Sequence, residues 1–340
     1  MKIHGDYYIS ADNKYYDVCY VADFDENMRK MAEQRYPGCV TFSDWRELLD
    51  KDVDIVVNAS YSEMHYPITK ELLENGKNVL VEKPFGRNRY ECDTLMKTAK
   101  DNGVILAVFQ QTFLAPFYTE AKKKCTDGTI GDIVAIDIKY NGFSRRWDWQ
   151  TLQKKLGGSV YNTGPHPIGM ALGFLDFDEK AEVAFSKLDL AMTSGDAEDY
   201  AKIILTAPGK PFVDVEISAS DAFKDYTIKL QGTRGTFKCT PTKYSLKYMI
   251  DSENEERPYI EESLHDEKGE PAYCSETLVT HEESGEYDGT AFEYATAKFY
   301  ESLYFHIAEG KPLAVTPEIA SQVIGVIETV HAQNRLPRLF

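Results

Sequence analysis

The stretch Asn78–Gly86, NVLVEKPFG, ends a run of strand-forming residues with Glu82 and Lys83 and then restrains the backbone with Pro84. Proline restricts φ and lacks a donor, and an X–Pro bond can take the cis form, so the lysine stem is held in one direction. An ammonium held over a crevice can donate hydrogen bonds to a substrate hydroxyl and favour a developing alkoxide. A lone lysine after a strand is usually a solvated surface residue; acid, lysine and proline together at a strand's carboxyl end point to chemistry. Two other strand ends carry polar groups. Asp23 can accept hydrogen bonds from a ribose diol and repel a 2′-phosphate, or can serve as a turn or N-cap aspartate. Ser60, Tyr61 and His65 follow the next strand, with His65 in a helical first turn, where it is either a cofactor contact or a capping or surface histidine. Further along, FSRRWDWQ (Phe143–Gln150) joins two arginines to two tryptophans. Arg146, Trp147 and Trp149 could clamp an anionic or polyhydroxylated substrate, the rings stacking on apolar sugar faces, or could pack at a domain interface.

The elements that must position these residues alternate over the first third of the chain. YDVCYVADFD reads as a strand ending near Asp23, DENMRKMAEQRYPG as a helix closed by Pro37 and Gly38, and DIVVNAS as a buried strand. SEMHYPITKELLENGK follows as a helix with Gly76 where a C-cap would fall. Then come the NVLVEKP strand, the RYECDTLMKTAKDNG helix and a closing strand, VILAVFQQ. Strands alternating with helices of this length predict an α/β fold with a doubly wound parallel sheet over residues 1–110. In such sheets ligands bind outside the carboxyl ends of the strands. From 111 to 340 the pattern changes: AIDIKY, EVAFSKLDL, YAKIILTA, FVDVEIS and YTIKLQGTRGTFKC alternate with period two. Val213, Val215 and Ile217 thus face away from Asp214, Glu216 and Ser218, which predicts a mostly antiparallel, open-faced sheet in an α+β second domain. TPEIASQVIGVIETVHAQN makes a last helix, about 316–334, started by Thr316 and Pro317 and free to pack back on the first domain.

Composition bounds the partners. A chain of 340 residues, 43% of them apolar, suits two packed domains. It has no uncharged apolar run of membrane-spanning length and no signal-peptide pattern, and its six cysteines are scattered without a CxxC pair. The expectation is a cytoplasmic protein with reduced thiols, no membrane association and no metal site. A net charge of −17 repels phosphate backbones and weighs against nucleic acid. Between Asp251 and Thr290, fourteen acids stand against Arg257 and Lys268, which reads as a solvated insertion or loop.

VVNASYSEMH, GKNVLVEKPFG, GTIGDIVAI and GGSVYNTGPHPIG resemble, in that order, the hallmarks of the Gfo/Idh/MocA family, that of glucose–fructose oxidoreductase, inositol dehydrogenase and rhizopine catabolism. The resemblance runs from about Tyr16 to the end and combines EKP with the later GG-x(3)-D/N-x-G-x-H. It implies a Rossmann domain, a sheet domain that often forms a homo-oligomer (dimer or tetramer), and NAD(P)-dependent oxidation or reduction of a sugar, polyol or related hydroxy compound. Lys83 matches the active-site lysine of EKP. His166 matches the histidine that usually accepts the proton when a carbinol is oxidised, a role suited to its ordinary pKa. Asn162 stands where the family usually has aspartate; an amide can orient a hydroxyl but cannot take a proton. Gly169 replaces an acid that commonly follows the histidine. Asp23, Ser60, Tyr61, His65, Glu82, Lys83 and Pro84, at the carboxyl ends of the strands, are the candidate cofactor contacts, with Asp23 favouring NAD over NADP, and the resemblance places substrate contacts near Arg146, Trp147 and Trp149. QTFLAPFY offers no charged contact where some members carry one near Pro116.

Such a fold should open with a strand and G-x-G-x-x-G, whose glycines let the backbone approach the pyrophosphate. Neither is present, and MKIHGDYYISADN looks like the helix that would follow that loop. The absent strand would lie mid-sheet, and its loss would leave two unpaired edges. A downstream start, a rebuilt N-terminus filled by another segment or chain, or loss of dinucleotide binding would each account for it. The dehydrogenase reading therefore has two rivals. One is a catalytically silent, dinucleotide-free module for ligand binding or dimerisation. The other is a glycosidase-like member that shuttles a hydride through bound NAD.

Overall fold

The structure, a computed structural model, describes residues 3–340. Helix α1 (Ile3–Tyr8) is followed by β1 (Tyr20–Ala22), α2 (Glu26–Arg35), β2 (Val40–Phe42), β3 (Val56–Asn58), α3 (His65–Glu74), β4 (Val79–Glu82), α4 (Arg89–Asn102) and β5 (Leu106–Phe109). All pairings among these strands are parallel. Val79, Leu80 and Val81 are all buried, as expected of a strand covered on both faces. Side-chain caps set the helix starts: Asp25 accepts from the Asn27 N–H before α2, and Asn88 from the Glu91 N–H before α4. Gly103, at φ 65°, ends α4 in the left-handed conformation.

The parallel sheet is in two pieces. β1 pairs only with β2, and β3–β4–β5 form a separate sheet. Among the described residues no strand joins β1 to β3, which is the place the sequence leaves for a missing strand. β1 is half-buried at all three positions, in contrast to the enclosed β4 and β5.

Next come α5 (Pro116–Lys124), β6 (Ile133–Asn141), α6 (Ser159–Asn162), α7 (Pro165–Phe174), β7 (Glu182–Asp189), β8 (Tyr200–Thr206), β9 (Phe212–Ser218), β10 (Ile228–Gly232), β11 (Gly235–Cys239) and β12 (Lys243–Tyr248). The chain ends with β13 (Leu264–His265), β14 (Pro271–Ala272), β15 (His281–Glu286), α8 (Tyr294–Glu309) and α9 (Pro317–Gln333). Eight of these strands make one sheet in the order β15-β12-β11-β10-β6-β9-β8-β7, antiparallel except between β6 and β9. Ala201, Ile203 and Leu205 on β8 and Val213, Val215 and Ile217 on β9 are buried on one face. Shifting either register by one residue would turn these aliphatics to solvent. At roughly 1.5–3 kcal/mol for each large side chain, that would cost on the order of 10 kcal/mol, so the register is fixed. The other face carries ion pairs such as Lys202–Asp214 at 2.8 Å and Lys202–Glu216 at 3.3 Å. Helix α7 is buried along almost its whole length, and α9 packs on α4, α7 and β7.

Two stretches differ from the sequence expectation. The acidic window is not all loop: β15 lies within it and pairs with β12, where Lys247 meets Glu282 at 2.8 Å and the Tyr248 hydroxyl meets Glu283 at 2.9 Å. An edge strand has one free side, so its acids can remain solvated and no apolar alternation is needed. Helix α8 has no counterpart in the reading above; its Phe299, Tyr300 and Leu303 form an apolar stripe that covers β4 and β5 through Leu80, Ala107 and Phe109. Among the described residues, no helix is long and apolar enough to cross a membrane.

Candidate active site

Lys83 leaves the end of β4 across a cis bond to Pro84. Its Nζ donates to the main-chain carbonyl of Asn162, 2.6 Å away in the second half of the chain. Burial lowers the Lys83 pKa, the Glu82 carboxylate opposes that shift, and Arg146 adds to it. The partner at position 162 is thus the backbone oxygen, which asparagine and aspartate supply alike.

Asn162 ends the short α6, which starts from Gly158 at φ 105°. That turn is built around Glu198, a buried carboxylate accepting from the Val160 N–H at 2.9 Å and facing His331 Nε2 at 3.4 Å. His166 follows in the first turn of α7, whose first position is Pro165. Its Nδ1 is 2.5 Å from the Thr112 hydroxyl, in the turn after β5. Burial pushes the His166 pKa down to about 3; the charge of Lys83 acts the same way, and Glu82 opposes it weakly. His166 is therefore neutral near pH 7. The Thr112 hydroxyl can accept from Nδ1–H or donate to Nδ1; in the tautomer where it accepts, Nε2 keeps its lone pair and can take a proton. Lys83, Asn162 and His166, chosen from sequence, thus converge from β4, α6 and α7. Gly169 also has a packing reason: a Cβ there would lie 2.8 Å from Phe113 Cζ, so an acid has no room.

Around this centre the other residues fall into two groups. Glu82 accepts from the Lys83 N–H at 2.9 Å and from His4 Nε2 at 2.8 Å. Burial would raise its pKa, but His4, Lys83 and His65 outweigh that and hold it at about 2. Pro84 offers its carbonyl to His65 Nδ1 at 2.8 Å, and His65 Nε2 faces the Ser60 carbonyl at 3.1 Å. His65 is 2% exposed, and burial lowers its pKa. The surface alternative for His65 is thus wrong: its ring ties the β3 and β4 loops together from inside, with both nitrogens turned to backbone. Asp23 accepts from the Asp25 N–H at 2.9 Å, the turn role, which occupies one of its oxygens. The Ser60 hydroxyl donates to Asn58 Oδ1 at 2.7 Å.

Tyr61 stands at the mouth, with the Trp149 ring edge-on at 5.0 Å and Phe24 at 6.3 Å, linking a parallel-strand end to the Phe143–Gln150 loop. The three-residue clamp is not assembled. Trp147 is 80% exposed, because Arg146 pairs with Asp148 at 2.7 Å and Asp148 caps the next turn, aiming the intervening ring outward. A cavity of about 200 Å³ opens beside Asn162, lined among others by Thr163, Arg146, Gln150, Glu198 and Asp199. Lys83 and His166 are not in its wall, so it adjoins them without containing them. Thr112, His4 and Tyr300 are site residues that the sequence did not single out. Thr112 had a signal in its place just past a strand end; the other two had none. Among the described residues no cluster of His, Cys, Asp or Glu could hold a metal ion.

A dinucleotide would find partners at both ends here. Asp23 at the end of β1 suits a ribose, and Lys83 with His166 suits the reacting end. Between them, where the two pieces of parallel sheet fail to meet, the described residues supply no glycine turn for a diphosphate.

A family model described as "Oxidoreductase family, NAD-binding Rossmann fold" (GFO_IDH_MocA) matches residues 4–110, and the GFO/IDH/MocA C-terminal domain model matches residues 118–238. An uncharacterised oxidoreductase of Schizosaccharomyces pombe, C115.03, is 26% identical over 215 residues, 61% of this chain and 58% of that protein. The chain thus spans less than two thirds of that relative's length. The NADP(+)-dependent scyllo-inositol 2-dehydrogenase IolU of Bacillus subtilis is 34% identical over 108 residues, 32% of each chain. Among solved structures, the probable oxidoreductase YhhX, from Escherichia coli, superposes with a TM-score of 0.76 at 20% identity, covering 99% of this chain and 94% of the other.

Proposed function

The chain belongs to the Gfo/Idh/MocA family, whose members are NAD(P)-binding oxidoreductases, and from that premise we propose that it moves a hydride between nicotinamide and a sugar, polyol or related hydroxy compound. The observation that carries this reading is the Lys83 ammonium held between β4 and α6 beside a neutral His166. Lys83 donates to the reacting hydroxyl, taking it in place of the Asn162 carbonyl, and lowers the energy of the alkoxide as it forms. His166 receives the proton at Nε2. A ring with a pKa near 3 is a weak base. Burial is the main cause of that depression; an alkoxide beside Lys83 offsets the lesser one, the lysine charge, so proton transfer and alkoxide formation support each other. The Asn162 side chain orients the substrate. Asp23 would hold the adenosine ribose, with NAD favoured over NADP, and Ser60 and Tyr61 would flank the dinucleotide; when bound, its nicotinamide supplies the hydride acceptor. Arg146 and Trp149 would contact the substrate's far end.

The split parallel sheet favours a second reading, a dinucleotide-free module that binds a ligand or dimerises. Homo-oligomerisation through the ion-paired face of the eight-stranded sheet is proposed under either. Titrating NADH fluorescence against the purified chain separates the two, because the module gives no saturable signal. With binding established, a panel of polyols and sugars is expected to yield turnover that Lys83→Met abolishes without loss of fold. Near-normal turnover in that variant would reject the role of Lys83.

A further inference from the structure

Behind Lys83, side chains from remote parts of the chain meet in one buried line. His4 on α1 sets Nε2 2.8 Å from Glu82 Oε1 and Nδ1 2.7 Å from the Tyr300 hydroxyl on α8, and the Tyr8 hydroxyl lies 2.8 Å from that of Tyr300. The His4 ring sits against Phe109 at 4.4 Å, and Tyr300 is fully buried, stacked on Tyr7 at 4.4 Å. One donor direction serves every member: Tyr8 donates to Tyr300, Tyr300 to His4 Nδ1, and His4 Nε2–H to Glu82. Glu82 closes the line by accepting from the main-chain N–H of Lys83 at 2.9 Å, and its charge acts on the amine through space. Apolar residues would fill this space without the desolvation that four polar groups incur, so the line is kept for what it does at its lysine end.

We propose that His4 and Tyr300 are positioning residues that hold Glu82 ionised and oriented, and through it set the protonation of the Lys83 amine. The groups facing Glu82 are His4, Lys83, His65 and Tyr300; those facing Lys83 are Glu82, Arg146, His166 and the Asn162 carbonyl. The inference deepens the dehydrogenase reading, in which Lys83 is the reacting amine, but its test needs neither substrate nor cofactor.

Pulse acetylation of the intact chain across pH, read by peptide mass spectrometry, gives the labelling midpoint of Lys83, with the surface residue Lys97 as reference. Glu82→Gln is expected to move that midpoint to lower pH, with labelling several-fold faster at a fixed pH below it, because the neighbouring negative charge is gone. His4→Ala and Tyr300→Phe should move it the same way by less, and added imidazole should restore the His4→Ala profile. Simple opening of the site would raise the plateau and move the midpoint to higher pH, because burial is what lowers it. Folded His4→Ala and Tyr300→Phe proteins whose midpoints overlay the parent, or shift upward, overturn the proposal. Tyr300→Phe removes one oxygen and carries the test if His4→Ala does not fold. Loss of turnover in Lys83→Met is a separate result, so the two readings can fail independently.

Discussion

Gly158 starts the turn that brings the Asn162 carbonyl to Lys83, and Gly158→Ala is expected to be among the most damaging single-methyl changes in the chain. Its φ of 105° and ψ of 155° lie where only glycine sits without strain, a penalty on the order of 1–3 kcal/mol for any other residue. A Cβ there would also lie 2.4 Å from Glu198 Oε1 and 2.5 Å from Oε2. The carboxylate would have to withdraw from the Val160 N–H that it now accepts at 2.9 Å, leaving a buried donor unpaired at a further cost of roughly 1–3 kcal/mol. Together these give about 2–6 kcal/mol, a large share of the roughly 5–15 kcal/mol that keeps a domain folded. Urea unfolding followed by tryptophan fluorescence measures it, with Gly103→Ala as the control. Gly103 is also left-handed, but nothing lies within 4 Å of its missing Cβ, so it should lose only the backbone preference, about 1–2 kcal/mol. A Gly158→Ala protein no less stable than Gly103→Ala would refute the reasoning, since the collision with Glu198 would then count for nothing.

Two pH effects follow from the buried charges. Glu82 is held at about 2, below its ordinary 4.5, so its contribution is present above pH 4.5 and disappears as pH falls through about 2. The stability difference between parent and Glu82→Gln, on the order of 3 kcal/mol at neutral pH, should shrink to nothing across that window in acid-unfolding curves; a constant gap would contradict it. For His331, burial opposes the charged form, but the Glu198 carboxylate and the Ile327 carbonyl prevail and raise its pKa. Its stabilisation is complete below the unfolded value of about 6.5 and is lost as pH climbs through the higher folded value. Melting temperature should therefore fall above neutrality, and Glu198→Gln should flatten that decline; parallel curves for the two proteins would dismiss the pair.

Local rules made much of the fold readable. α4 begins at a capping asparagine and ends at Gly103, α9 begins at Thr316–Pro317, and β9 buries the three aliphatics its alternation marks. Lys83 and His166 were legible because each belongs to a motif short enough to be seen whole. What was hidden depends on distance along the chain. His4 and Tyr300 are 296 residues apart, and nothing in either neighbourhood announces the other. Helix α8 lacks a side-chain N-cap bond, so its start carries no mark. β15 holds its place through cross-strand pairs with β12, a property of two segments at once. The orientation of Trp147 was hidden for a related reason: composition suggested stacking, while the Arg146–Asp148 pair on either side turns the ring to solvent.

The amine of Lys83 is already engaged, bound to a main-chain oxygen across the boundary between the two halves. In the reaction proposed above, a guest must displace that amide oxygen before the amine can serve it, so acceptor strength counts as well as shape. Because the latch is backbone, drift in the side chain at position 162 leaves the bolt in place.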